Sequence, residues 1–176
     1  MGHLTAGRLA LRPATEADVP TLLELIRGIA EYERLSHEVE ATEALLRTHG
    51  FGPRPIFEAV LAEVDGRAVG FALYFFTFST FKARPTLYLE DLFVRPESRG
   101  RGIGRRLLVH LARIAVERGC GRMEWAVLDW NTPARDFYLK LGAVAMEEWT
   151  VFRMTPAAFT RLAGEAEGGG PPDEAV

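Results

Sequence analysis

The sequence predicts an α/β protein built on one mixed sheet, and three observations carry that expectation. Residues 56–65 and 68–80 are apolar runs joined at Asp65-Gly66, a two-residue hairpin signal, so the sheet starts as an antiparallel meander. After a further strand, Leu87 to Val94, apolar residues recur at helical spacing through Ile103, Leu107, Leu108, Leu111, Ile114 and Ala115, so the chain then crosses over through a helix. The 176 residues fit one domain plus a short tail, with enough chain to bury a core. The domain is expected over residues 1–163.

The elements follow in order. Arg8 to Arg12 alternates apolar and charged residues and reads as a first strand ending at Pro13. Thr15 can cap a helix beginning near Glu16, with Asp18 beside the positive end of its dipole. Leu22, Leu23, Leu25, Ile26, Ile29 and Ala30 form its apolar stripe. Thr42 opens a short second helix through Leu45 and Leu46, which Gly50-Phe-Gly-Pro-Arg-Pro55 breaks. The hairpin comes next, then the Lys82–Pro85 break and the Leu87–Val94 strand, stopped by Arg95-Pro96-Glu97-Ser98. Gly119 ends the long helix. Residues 122–128 form another strand, and a helix starts at Asn131 or Thr132 with Pro133 in its first turn and Gly142 at its end. Residues 143–154 read as one or two final strands, and Thr155-Pro156 starts a last helix. Gly164 to Val176, rich in glycine, proline and acid, is expected to be a disordered tail.

Composition excludes several classes. An apolar fraction of 48% and a charged fraction of 26% are ordinary for a globular protein. A net charge of −3 argues against a general nucleic-acid binder. One cysteine, Cys120, excludes an intrachain disulfide and a cysteine metal cluster, and the four histidines lack ligand spacing, so no metal is expected. No leader pattern and no membrane-length apolar run is present, which makes the cytoplasm the expected location and excludes a membrane partner.

Chemistry concentrates at Arg99-Gly100-Arg101-Gly102-Ile103-Gly104. Alternate glycines free the backbone to take unusual dihedrals and approach a ligand. Directly before a helix, their amides can face an anion and add the positive end of the dipole. Arg99, Arg101, Arg105 and Arg106 add positive charge around the turn, a combination suited to a pyrophosphate. Glycine spacing alone also fits a plain connection. No Gly-Lys-Ser/Thr follows, which excludes a Walker loop, and the spacing fits a dinucleotide fingerprint badly.

Arg99-x-x-Gly102-x-Gly104 resembles the R/Q-x-x-G-x-G/A signature of the GCN5-related N-acetyltransferase (GNAT) superfamily. Arg12-Pro-Ala-Thr15, Glu31-Tyr-Glu33, Phe51-Gly52, Leu87-Tyr-Leu-Glu-Asp91, Trp130-Asn131 and Phe137-Tyr138 extend the likeness to its spermidine/spermine (diamine) acetyltransferase-like branch, over residues 8 to about 154. The resemblance implies the GNAT fold, a mixed and mostly antiparallel central sheet flanked by helices. It implies acetyl-coenzyme A as cosubstrate and direct transfer to an amine in a ternary complex. It also implies a homodimer, sometimes with an exchanged C-terminal strand, for which the apolar run Trp149-Thr-Val-Phe152 is compatible.

Site roles follow from the same likeness. Glu90 and Asp91 interrupt an apolar strand, and on the residues alone a solvated edge or bulge explains them. The resemblance makes Glu90 the base that deprotonates the amine through water, with Asp91 orienting substrate or satisfying backbone amides. It places the backbone of Leu92, Phe93 and Val94 along the pantetheine arm, with Asn131 bonding that arm. Gly100, Arg101, Gly102, Ile103, Gly104 and Arg105 grip the pyrophosphate with Arg99. Tyr138, by itself a core tyrosine, becomes the acid that protonates the departing thiolate. A phenol near pKa 10 facing a thiol of about 8.5 suits that task. Asn131 equally suits a helix cap.

Tyr32 and Glu33 match substrate-binding positions of the polyamine enzymes. The loop that follows departs from them, with Ser79 and Phe81 where those enzymes carry an acid and a tryptophan, and Lys82 and Arg84 repel a long polycation. The acceptor expected is therefore a small primary amine, a thialysine-like amino acid or a short diamine. A non-catalytic acyl-coenzyme A sensor and a protein N-acetyltransferase share the cofactor site and are the alternatives.

Overall fold

The computed structural model describes residues 7–165. The chain divides into two compact units, one running to Trp130 and one from Asn131. The first unit holds a five-stranded sheet in sequence order: β1 Leu9–Pro13, β2 Glu58–Val64, β3 Arg67–Ser79, β4 Arg84–Val94 and β5 Arg122–Glu124. Neighbours from β1 to β4 are antiparallel, and β4 with β5 is parallel. The β2–β3 turn is the one expected: Asp65 and Gly66 both take positive φ, 50° and 78°, the pairing a twisted two-residue hairpin needs.

Helix α1, Val19–Tyr32, follows a 3-10 turn at Glu16–Asp18. Thr15 starts it, its N–H donating to Asp18 Oδ2 at 2.8 Å. Asp18 also receives both Arg12 guanidinium nitrogens, at 2.7 and 2.8 Å, and Arg12 reaches Glu63 on β2 at 2.7 Å. These bonds hold the Asp18 carboxyl well below the usual carboxylate range and tie the start of α1 to the sheet.

Leu22 and Leu25 of α1 pack with Ala59, Leu61, Phe71, Leu73 and Phe93. Val60, Ala62 and Ala72 alternate with that set along β2 and β3 and are buried on the other face. A short α2, Glu43–Leu46, capped by Thr42, adds Leu46 to a second cluster with Val19 and Leu23. Helix α3, Ile103–Glu117, makes the crossover from β4 to β5 and buries Ile103, Leu107, Leu108, Leu111 and Ala115. Strand β5 is shorter than the expected 122–128, because its ladder with β4 ends at Tyr88 and Glu124.

The second unit holds α4, Thr132–Lys140, and α5, Pro156–Glu165. The expectation of strands over residues 143–154 is overturned: no strand forms there among the described residues. Alternating composition does not make a strand without a second backbone to bond, and Val144, Trp149, Val151 and Phe152 lie exposed instead. Helix α5 starts at the predicted Thr155-Pro156. The expected tail falls mostly outside the described residues.

Candidate active site

The site is organised by an irregularity in β4. Asp91 pairs with Leu73 of β3, but the next rung joins Leu89 to Tyr74, which leaves Glu90 as an extra residue. This is a β-bulge, and it inverts the side-chain alternation. In a regular strand Leu89 and Asp91 would share a face. Here Leu89 is buried on the face of Tyr74, while Asp91 joins Leu73 and Phe93 on the face that α1 covers. Glu90 is exposed at the bulge itself.

Burial, helped by the charges of Glu90 and Glu33, pushes the Asp91 carboxyl up to about 7 from an ordinary value of 3.8. Burial also raises Glu33. No hydrogen bond or cation reaches Asp91 among the described residues. Three carboxylates, from β4 and from the end of α1, thus converge with one of them poised to exchange a proton near neutrality.

The end of α1 is brought to this place by Gly28. A Cβ there would lie 2.9 Å from the Phe93 ring, so glycine lets the helix settle on the strand. One turn on, Tyr32 is partly exposed beside the site. The Arg99 guanidinium lies 4.5 Å from the Tyr32 ring centre and 5.7 Å from that of Phe93. Arg99 Nε also donates to the Val94 carbonyl at 2.9 Å. On its other flank β4 has no ladder partner beyond Tyr88 among the described residues, so the edge of Leu92, Phe93 and Val94 is open except for that bond. The side chain of Arg99 is thus folded back on the strand.

The glycine turn has the geometry of an anion cradle. Gly100 and Gly102 take φ of 73° and 75°. A Cβ on either would meet nothing within 4 Å, so the backbone conformation, not crowding, calls for glycine. Gly102 is the N-cap of α3 and offers no side chain to the first-turn amides, which have no intrahelical partner. No acid sits in that turn. Arg101 and Arg105 stand exposed there with no ion pair among the described residues. Helix starts normally attract acids, so bare amides ringed by arginines suit a polyanion.

In the second unit Asn131 is the N-cap of α4, its Oδ1 accepting from the Ala134 N–H at 3.3 Å. The cap role foreseen for it is therefore present. Tyr138 is half-buried on α4, its ring 5.2 Å from that of Phe137, and its carbonyl accepts from Ala143 across Gly142.

Ser79, a position singled out for specificity, is buried and accepts from the Lys82 N–H at 3.3 Å, which closes the β3–β4 turn. Phe81 is 93% exposed. Two neighbours of the site escaped sequence reasoning as functional residues. Trp130 lies 6.2 Å from Tyr32, and the Arg34 guanidinium lies 5.7 Å over Trp130. Only the tertiary fold joins them, and no local spacing would have shown it. Cys120 follows the end of α3, and no base stands beside it in the sequence. Among the described residues no group of three His, Cys, Asp or Glu is placed to hold a metal, and no helix is long and apolar enough to cross a membrane.

An anion cradle, an open strand edge and a proton-accepting carboxylate can together hold a nucleotide-bearing donor and deprotonate an acceptor. Comparison with known proteins agrees. The acetyltransferase (GNAT) family model matches residues 20–143. A thialysine N-epsilon-acetyltransferase of Bos taurus is 42% identical, over 88% of this chain and 97% of that protein. A human spermidine/spermine N(1)-acetyltransferase-like protein is 34% identical, over 88% of this chain and 24% of its own. Among solved structures, an integron cassette protein from the mobile metagenome of V. cholerae superposes with a TM-score of 0.74. It is 26% identical and covers 88% of this chain and 97% of its own.

Proposed function

This chain belongs to the acetyltransferase (GNAT) family, and on that premise we propose that it transfers the acetyl group of acetyl-coenzyme A to a primary amine of a small molecule. The amine is that of a thialysine-like amino acid or a short diamine, and transfer is direct, in a ternary complex. The observation that carries the reading is the bare α3 N-terminus behind Gly100 and Gly102, set on the same strand–helix connection as the Glu90 bulge. The family match crosses the boundary between the two units, which supports reading residues 1–163 as one acetyltransferase domain.

On this reading the residues take the following roles. Amides of Gly102, Ile103 and Gly104, with Gly100, Arg101 and Arg105, hold the pyrophosphate. Arg99 joins them by leaving the Val94 carbonyl, and the freed edge of Leu92, Phe93 and Val94 bonds the pantetheine arm, with Asn131 at its side. Tyr32, Glu33 and Asp91 receive the cationic acceptor. An alkyl ammonium near pKa 10 must lose a proton before its nitrogen can attack the thioester carbon. Glu90, exposed at the bulge, takes that proton through water. Asp91, whose proton affinity is raised by burial and by the neighbouring carboxylates, orients the amine beside it. The new C–N bond forms as the C–S bond breaks, and Tyr138 gives its proton to the leaving thiolate.

Two further readings complete the proposal, the first from the family resemblance and the second from the sequence alone. The protein works as a homodimer, with residues 143–154 pairing against a second copy, and it works in the cytoplasm. Metal has no part in the reaction, and neither nucleic acid nor membrane is a partner. A thiol-release assay with acetyl-coenzyme A against diamines, polyamines, lysine analogues and peptides tests the proposal. Release with small primary amines supports it. Coenzyme binding without release from any acceptor supports the acyl-coenzyme A sensor instead, and release with peptides alone supports protein N-acetylation.

A further inference from the structure

Helices α1, α3 and α4 end the same way. After α3, Gly119 takes φ of 65°, and the Cys120 N–H bonds back to the Ala115 carbonyl at 2.9 Å. After α4, Gly142 takes φ of 91°, and Ala143 bonds back to Tyr138 at 3.1 Å. After α1 the same turn is made, with Leu35 bonded to Ala30 at 2.8 Å, but the left-handed residue is Arg34, at φ of 63°. This position favours glycine because a Cβ crowds the backbone there. The chain meets that preference twice and sets it aside beside the candidate site. Strain of this kind gathers where a side chain has a task.

The surroundings of Arg34 indicate the task. Its guanidinium lies 5.7 Å over Trp130, Trp130 lies 6.2 Å from Tyr32, and Arg99 covers Tyr32 at 4.5 Å. Arg34 is exposed, and among the described residues no carboxylate of this chain bonds it, although Glu33 adjoins it in sequence. Its fork of donors is therefore open to a ligand, held in place by an aromatic face. Glu33, at the same helix end, is near enough for its charge to act on Asp91. A cation and a set of carboxylates thus flank one aromatic pair. A plain diamine, positive at both ends, finds repulsion at Arg34, whereas an α-amino acid with a terminal amine finds a partner for each charge.

We propose that Arg34 selects the acceptor by binding its carboxylate while Glu33, Glu90 and Asp91 face its terminal amine. This inference rests on the proposed acetyl transfer to small amines. The test compares an ω-amino α-amino acid with its decarboxylated diamine of equal chain length, for wild type and for Arg34→Gly, which fits the left-handed backbone. Arg34→Lys is a third arm that keeps the charge.

The KM of the glycine variant for the amino acid is expected to rise about tenfold, the scale of one charge-assisted contact. Its KM for the diamine should stay level or fall, and lysine should restore part of the difference. Equal changes for both acceptors, no change for either, or a wild-type preference for the diamine would overturn the role of Arg34 and leave acetyl transfer standing. Absence of thiol release from wild type with both acceptors and all other small amines would overturn both. A thermal melt of the glycine variant that matches wild type shows that the readout is not a folding defect.

Discussion

Asp91 illustrates what one residue owes to its surroundings. Its sequence neighbours mark it only as a charge in an apolar strand. Its raised proton affinity comes first from burial under α1 and then from Glu90 and Glu33, and of these only the adjacency of Glu90 is legible before the bulge and the helix packing are known. The sign of its effect on stability follows. Because its folded value lies above 3.8, its favourable contribution is complete below that pH and is lost as pH rises through about 7. Asp91→Asn should therefore match wild type in thermal melts at pH 4. At pH 8 it should be more stable by about 2 kcal/mol, allowing for incomplete burial. In kcat/KM profiles the same variant should lose the ascending limb near pH 7; a limb that persists there would assign it to another group. Tyr138 provides a separate check on the proton donor. Tyr138→Phe is expected to lower kcat by about 100-fold, with coenzyme affinity by calorimetry unchanged.

At the level of elements, local chemistry was readable and long-range chemistry was not. The Asp65-Gly66 hairpin and the glycine stop after α3 depend on a few adjacent residues and lie where the residues place them, whereas Thr15 caps a 3-10 turn and α1 itself begins only at Val19. The bulge at Glu90 was one of two readings of a charged strand, and only the ladder with β3 decides it. The end of α1 escaped notice because its left-handed residue is an arginine. The α3 start allows a direct test of the cradle. Gly102→Ala has room for its Cβ but strains the φ of 75°, so the fold should lose about 1 kcal/mol and the KM for acetyl-coenzyme A should rise severalfold. Strand β4 gives a contrasting control. Thr86 is fully buried and its Oγ1 has no hydrogen-bond partner among the described residues. Thr86→Val should raise stability in urea by about 1 kcal/mol and leave turnover unchanged.

For the whole molecule, the segment over residues 143–154 sets the remaining question. Its pattern reads as strand, yet within one chain it finds no ladder among the described residues. Trp149, Val151 and Phe152 are 72, 84 and 90% exposed. Large apolar side chains left open in sequence suit an interface with another copy. Burying those three side chains on association would contribute several kcal/mol, at about 1.5–3 kcal/mol for each fully buried apolar residue. Sedimentation should then give twice the chain mass of 19.6 kDa. Replacing Val151 and Phe152 together by Asp should return it to the monomer, because two carboxylates cannot be buried there without partners. A wild-type monomer at micromolar concentration would remove the dimer. A variant that stays dimeric would move the interface away from this segment.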